Sequence, residues 1–185
     1  RMGLPIGKLI CASNANHVLS DFFATASYNR NRPFIPTESP SMDILISSNL
    51  ERLISHLAGP EETQKLMKHL ADEGAYILSP EVFNRMRDLF AGGYIGDHQA
   101  REVIRRTFKN YHYLLDTHTA VAVGVYEEYL RQTGDPAKTI VLSTASPYKF
   151  PSAVLGALGE ESEGEGYQLL KRLSETTGTP IPPSL

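Results

Sequence analysis

Apolar and polar positions along the chain alternate between short continuous runs and helical spacing. Lys8-Leu9-Ile10-Cys11-Ala12-Ser13 is a short apolar run between a glycine and a polar turn, and it predicts a buried strand. After Asn14-Ala15-Asn16, the residues Val18, Leu19, Phe22, Phe23 and Ala26 recur at helical spacing, with Asn16 as the expected N-cap. Residues 27–42 carry three prolines among polar residues and predict a long ordered loop. Residues 43–58 predict a helix or broken helix on Ile44, Leu50, Leu53, Ile54 and Leu57, stopped by Gly59-Pro60. A second helix is expected over 61–71, then a short strand at Tyr76-Ile77-Leu78.

Ser79-Pro80-Glu81 reads as an N-cap followed by proline at the first helical position. The helix it opens is expected to reach about Phe90 and to be stopped by Gly92-Gly93. Further helices are predicted over 97–111, 120–132, 151–158 and 167–176, with an acidic glycine-rich loop at 160–166. Thr139-Ile140-Val141-Leu142-Ser143, β-branched and bounded by turn residues, carries the clearest strand pattern in the chain. Strands separated by helices favour an α/β architecture with a parallel sheet, beside which the mostly helical stretch 44–112 would sit.

Composition narrows the function classes. A chain of 185 residues with 41% hydrophobic and 21% charged content is an ordinary globular composition, long enough to bury a core. Its net charge of −3 argues against an electrostatic nucleic-acid binder. The single cysteine excludes an intramolecular disulfide and a Cys-rich zinc site, and fits a reducing cytoplasm. No apolar run is long enough to span a membrane, so no membrane partner is expected. The opening Arg1-Met2-Gly3-Leu4-Pro5-Ile6-Gly7 has no signal-peptide pattern. With Met2 behind an arginine and a strand within a few residues, an upstream part is expected to be missing.

Ligands of open α/β sheets sit at the carboxyl ends of strands. Two such ends are polar: Ser13-Asn14-Ala15-Asn16-His17 and Ser143-Thr144-Ala145-Ser146-Pro147-Tyr148-Lys149-Phe150. Their plain structural alternative is that Asn16 and Ser146 only cap the next helices. Asp116-Thr117-His118-Thr119-Ala120 is a third polar knot, where a carboxylate two residues from a histidine can orient the imidazole or merely cap a helix. His56, His69, His98 and His112 fall on predicted helices and are expected at the surface. HExxH, P-loop, GxSxG and CxxC motifs are absent, so no metal site is expected, and Cys11 inside a strand reads as an inert buried thiol.

Several segments together resemble threonine synthase, a pyridoxal-phosphate enzyme family. They are Leu9-Ile10-Cys11-Ala12-Ser13-Asn14-Ala15-Asn16, Ser39-Pro40-Ser41-Met42-Asp43-Ile44, Ser48-Asn49-Leu50-Glu51-Arg52, Asp116-Thr117-His118-Thr119-Ala120-Val121 and Ser143 through Phe150. Each is weak alone; their order and spacing over about residues 1–150 carry the resemblance. One departure is Thr117, where the family commonly has proline.

The resemblance implies part of the large domain of a fold-type II pyridoxal-phosphate enzyme, an α/β fold with a parallel sheet flanked by helices and a mostly helical insert. Residues 1–26 and 112–158 would belong to that domain, 27–111 to the loop and helical region beside it, and 159–185 to a C-terminal loop and helix. It further implies conversion of O-phospho-L-homoserine and water to L-threonine and phosphate, by γ-elimination and then addition of water at Cβ, with pyridoxal 5'-phosphate as cofactor. The Schiff-base lysine and the cofactor-phosphate loop would lie upstream, since no GNxGN-type sequence is present and neither Lys149 nor Lys8 matches that lysine. The chain is therefore expected to be an inactive C-terminal portion with no catalytic residue of its own.

Thr144 aligns with the family threonine that meets the pyridine nitrogen, with Ser143 the nearest substitute. Asn14 and Asn16 are expected around the cofactor, and Ser41, Asp116 and His118 around the substrate. Exposed sheet surface in such a portion invites homodimerisation or aggregation. The rival class is a non-catalytic binding or regulatory module derived from the same half-fold.

Overall fold

The computed structural model describes residues 3–184; the Arg1-Met2 opening and Leu185 lie outside them. Along the chain run β1 (Leu9–Ser13), α1 (Val18–Thr25), β2 (Ser27–Asn29), α2 (Ser48–Ala58), α3 (Pro60–Glu73), β3 (Ala75–Ile77), α4 (Pro80–Leu89), β4 (Phe90–Tyr94), α5 (Asp97–Tyr111), α6 (Thr117–Thr133), α7 (Pro151–Leu158) and α8 (Tyr167–Thr177). Single 3-10 turns occupy Pro40–Met42 and Pro147–Lys149.

β1 and β4 pair in parallel, Leu9 opposite Phe90 through Ser13 opposite Tyr94. Side chains alternate across this sheet. Cys11 and Phe90 face a core built by α1 to α4, where Phe22, Tyr28, Ile54 and Met86 are fully buried. Ile10 and Ala12 face the other core, built by α5 to α8 around Ile104, Val121, Val154 and Leu155. Helices on both faces of a parallel sheet give the α/β class that the strand–helix alternation predicts. A second pairing, β2 with β3, is antiparallel, and its Tyr28 and Tyr76 rings stack 5.2 Å apart.

Gly92-Gly93 do not stop a helix, as the sequence pattern suggested; they are the middle of β4. A Cβ on Gly92 would stand 3.0 Å from the Ser20 Cα of α1, and one on Gly93 would stand 2.7 Å from the Val125 Cγ1 of α6. The glycines let two helices close on opposite faces of one strand, a tertiary requirement that a local breaker signal does not express. The expected boundary between 1–26 and 27–111 is crossed by this pairing, because β4 lies in the second segment.

Other expectations shift for identifiable reasons. Residues 27–42 are not all loop, since Ser27–Asn29 pairs with β3. Residues 43–47 are not helical, and Asp43 spends its side chain on the preceding loop. Asn16 caps nothing: α1 opens after His17, and the Asn16 amide reaches the Ile35 backbone. Thr139–Ser143 forms no strand among the described residues, and Ile140 and Leu142 are 87% and 74% exposed. A β-branched run needs a neighbouring strand to supply its ladder, and none of the described strands pairs with this one. Helices α4, α5 and α7 keep the predicted positions, and Ser79 caps α4 by accepting from Val82 N–H. His56, His69 and His98 are exposed, as is His112, which ends α5 in the left-handed conformation.

Gly93→Ala should destabilise the fold by about 1–3 kcal/mol by overpacking. In denaturant titrations, Val125→Ala should cost less in that background than in the wild type; additive losses would contradict the contact. Burial pushes the Cys11 thiol up to about 11. The native thiol should therefore react slowly with a thiol reagent at pH 8 and rapidly once denatured, and equal rates would show it accessible.

Candidate functional site

The first polar strand end is spent on building a loop. Asn14 follows β1 and is fully buried. Its Oδ1 accepts the Asn16 N–H at 2.9 Å, and its Nδ2 donates to Asp43 Oδ1 at 2.7 Å and Thr37 Oγ1 at 2.8 Å. Asn16 pairs twice with the Ile35 backbone, donating to its carbonyl at 2.7 Å and accepting its N–H at 2.9 Å. Asp43 also accepts from the Thr37 hydroxyl at 2.6 Å and the Thr37 N–H at 2.9 Å. The amides of Asn14 and Asn16 are thereby saturated, and what they fix is the loop over residues 35–43.

The same loop is held from the α6 side. Asp116 is the N-cap of α6, accepting from the N–H groups of His118 at 2.9 Å and Thr119 at 3.3 Å. The Ser41 N–H, at 3.1 Å, donates to His118 Nε2, so that nitrogen offers its lone pair and the ring proton sits on Nδ1. Nδ1 lies 3.2 Å from Asp116 Oδ1 and 3.3 Å from Thr117 Oγ1, and donates to the carboxylate. The imidazole packs against the Phe150 ring at 4.8 Å. Asp116 and His118 are 1% and 7% exposed, a carboxylate–histidine pair almost out of water whose every polar atom has a partner.

Ser143 joins this cluster: its Oγ lies 3.2 Å from Thr119 Oγ1, and the Thr119 hydroxyl also donates to Asp116. Thr144, next along, is exposed, and among the described residues its hydroxyl has no partner. Ser146 caps the 3-10 turn of Pro147–Lys149, accepting the Tyr148 N–H at 3.3 Å. On the outer side of the loop, Glu38 pairs with Arg101, and the Glu38 N–H meets the Asp97 carboxylate at 3.3 Å. Burial pushes the Asp97 carboxyl above its ordinary value, against the pull of that N–H.

Of the expected site residues, the structure brings Asn14 and Asn16 into one network, and Ser41, Asp116, His118 and Ser143 into another. The loop carrying Ser41 joins the two networks, and Thr144 stands at the outer margin of the second. Asp43, Thr37 and Thr119, not among the expected site residues, complete the two networks. Asp43 had one signal, a lone carboxylate between the apolar Met42 and Ile44. A cleft of about 940 Å³ opens elsewhere, beside β4, α5 and α6, and none of the expected site residues lines it. No group of three or more potential metal ligands occurs among the described residues. No helix there is long and apolar enough to cross a membrane.

Residues 119–180 match the family model described as "Threonine synthase, C-terminal". The chain is 35% identical over 186 aligned residues to threonine synthase of Schizosaccharomyces pombe, covering 88% of this chain and 36% of that protein. It is 37% identical over 161 residues to human threonine synthase-like 1, covering 85% of this chain and 21% of that protein. Among solved structures, PLP-bound threonine synthase from Brucella melitensis matches with TM-score 0.80 and 35% identity over 92% of this chain and 37% of that one. Yeast threonine synthase matches with TM-score 0.81 and 32% identity over 94% and 38%. The chain thus spans between 21% and 38% of the length of these relatives.

His118→Phe would keep a ring against Phe150 but remove the acceptor of the Ser41 N–H. It should cost about 1–3 kcal/mol, and amide hydrogen exchange should accelerate at Ser41 while staying slow at Ile35. Unchanged protection at Ser41 would show that the histidine does not hold the loop.

Proposed function

The chain belongs to the threonine synthase family and matches its C-terminal part, and from that premise we propose that it forms one wall of a threonine synthase active site. The reaction of the whole protein is then the conversion of O-phospho-L-homoserine and water to L-threonine and phosphate, in the cytoplasm. The observation that carries this reading is the fold match to a PLP-bound enzyme together with two exposed adjacent hydroxyls, Ser143 and Thr144, backed by a saturated buried network. On the same reading, residues 1–26 and 112–158, with β4 paired into them, belong to the fold-type II large domain. Residues 27–111 otherwise form the region beside it, and 159–185 a C-terminal loop and helix.

These residues fit one edge of pyridoxal phosphate. When bound, the cofactor supplies an electron sink for bond cleavage beside the substrate amino group. A neutral hydroxyl such as that of Thr144 donates a hydrogen bond to a ring nitrogen and leaves it unprotonated, as a carboxylate would not. Ser41, on a turn fixed by His118, presents an exposed side chain toward which a polar substrate can be oriented. Asn14 and Asn16 act one step back, by shaping the loop that carries Ser41. Neither Lys8 nor Lys149 supplies the catalytic amine on this reading: Lys8 donates to the Arg87 carbonyl, and Lys149 is exposed beyond the capped turn. The catalytic lysine and the phosphate-binding loop come from an upstream part.

Two surface features follow from the same reading. Among the described residues the β1–β4 sheet has two strands and the run with Ile140 and Leu142 is exposed and unpaired, which supports dimerisation or aggregation of the 185-residue chain on its own.

Phosphate release from O-phospho-L-homoserine tests the reading. The 185-residue chain should give none. In the full-length protein, Thr144→Val should lower kcat/KM about ten- to a hundredfold, the cost of one hydrogen bond to a buried ligand group, with an unchanged melting midpoint. Full-length protein without turnover would favour the non-catalytic module instead, and full activity in Thr144→Val would remove that residue from the site.

A further inference from the structure

The 35–43 loop turns alternate side chains inward and outward where it passes α5. Thr37 and Ser39 turn inward: the Thr37 hydroxyl donates to Asp43 at 2.6 Å, and the Ser39 hydroxyl accepts from Asn14 Nδ2 at 3.0 Å. Glu38, between them, turns outward onto α5 and is gripped there through both its backbone and its side chain. Its N–H is shared between the two Asp97 oxygens, 3.3 Å from each. Its carboxylate accepts from both prongs of the Arg101 guanidinium, from Nε at 2.8 Å and from Nη2. Asp97 and Arg101 lie one turn apart on the same face of α5. This grip gathers like charge. Burial pushes the Asp97 carboxyl up, the neighbouring carboxylates of Glu38 and Asp43 push it the same way, and Arg101 is the cation that pulls against them.

We propose that Arg101 is a positioning residue for the Ser41 turn: by clamping Glu38 to α5 it fixes, together with His118 on α6, the angle at which Ser41 meets the substrate. The inference rests on the reading that Ser41 faces the substrate. One tether leaves a pivot and two define an orientation. His118 alone would let the turn rock about its bond to the Ser41 N–H, and a second tether on the helix packed against α6 removes that freedom. A guanidinium suits the task because its planar fork meets both carboxylate oxygens at once. Without Arg101, Glu38 would stand beside the Asp97 carboxylate uncompensated and swing into water. The loop would then keep its hold on β1 through Asn14 and Asn16 and lose its hold on α5. The Arg101 side chain is 48% exposed, so this tether is the outermost of the set and the one that salt weakens.

The test uses the full-length protein, read by amide hydrogen exchange and by steady-state kinetics with O-phospho-L-homoserine. Arg101→Gln should speed exchange at Glu38 and Ser41 and leave Ile35 slow, since the Ile35 N–H is held by Asn16. It should raise KM about fivefold, the upper range of an exposed ion pair, with kcat and the melting midpoint unchanged. The double variant Arg101→Gln/Glu38→Gln removes the repulsion between Glu38 and Asp97 and allows a neutral pairing, so exchange and KM should return toward wild type. Unchanged exchange at Glu38 and Ser41 in Arg101→Gln, or a double variant as impaired as the single one, would overturn the tether. Faster exchange with an unchanged KM would overturn the positioning role and the placement of Ser41 at the substrate, while continued phosphate release would leave the proposed function standing. Absence of turnover in the wild-type protein would count against the proposed function instead, and the exchange rates would still decide whether Arg101 holds the loop.

Discussion

One buried carboxylate, Asp116, is where the polar interior of this chain converges. It caps the first turn of α6 and accepts hydrogen bonds from the His118 ring and the Thr119 hydroxyl. Through His118 it holds the Ser41 backbone, and through Thr119 it holds Ser143. Segments distant in sequence are thus referred to a single acceptor. A carboxylate in that position is stable only if its lone pairs are filled, and here four donors fill them; removing any one would expose part of a desolvation cost no solvent can offset.

Around that point the apolar frame leaves little freedom. α6 presses on β4 at Gly93 and α1 presses on the other face at Gly92, so the sheet is clamped from both sides. The end of β1 delivers Asn14, and Asn14, Asn16 and Asp43 fold the 35–43 loop back over the strand end toward α6. The loop therefore reaches the His118 ring already ordered. The two networks thus hold the 35–43 loop and the Ser143 hydroxyl against the start of α6.

Much of this was legible where local chemistry decides structure. Ser79-Pro80 announces α4, the apolar spacing of 97–111 gives α5, and Asp116 and Ser146 cap the elements that follow them. It was illegible where the deciding partner is remote. Gly92-Gly93 looks like a stop because the crowding of Ser20 and Val125 is invisible in one dimension. Asn16 looks like a cap because its true partner, Ile35, lies across a proline-rich loop. Thr139–Ser143 carries strand propensity, yet propensity forms no ladder without a neighbour. Asn14, Asn16, Ser41, Asp116, His118 and Ser143 stood out in the sequence as polar positions, and their connections through Thr37, Asp43 and Thr119 did not, since a hydrogen-bond network has no fixed spacing.

The most direct measurement is a crystal structure of the full-length protein with pyridoxal phosphate bound. The account predicts the ring nitrogen within about 2.7–3.2 Å of Thr144 Oγ1, with Ser143 still turned toward Thr119 and the Ser41 turn still seated on His118. A cofactor bound elsewhere, or a ring nitrogen facing a carboxylate with Thr144 left in solvent, would contradict it.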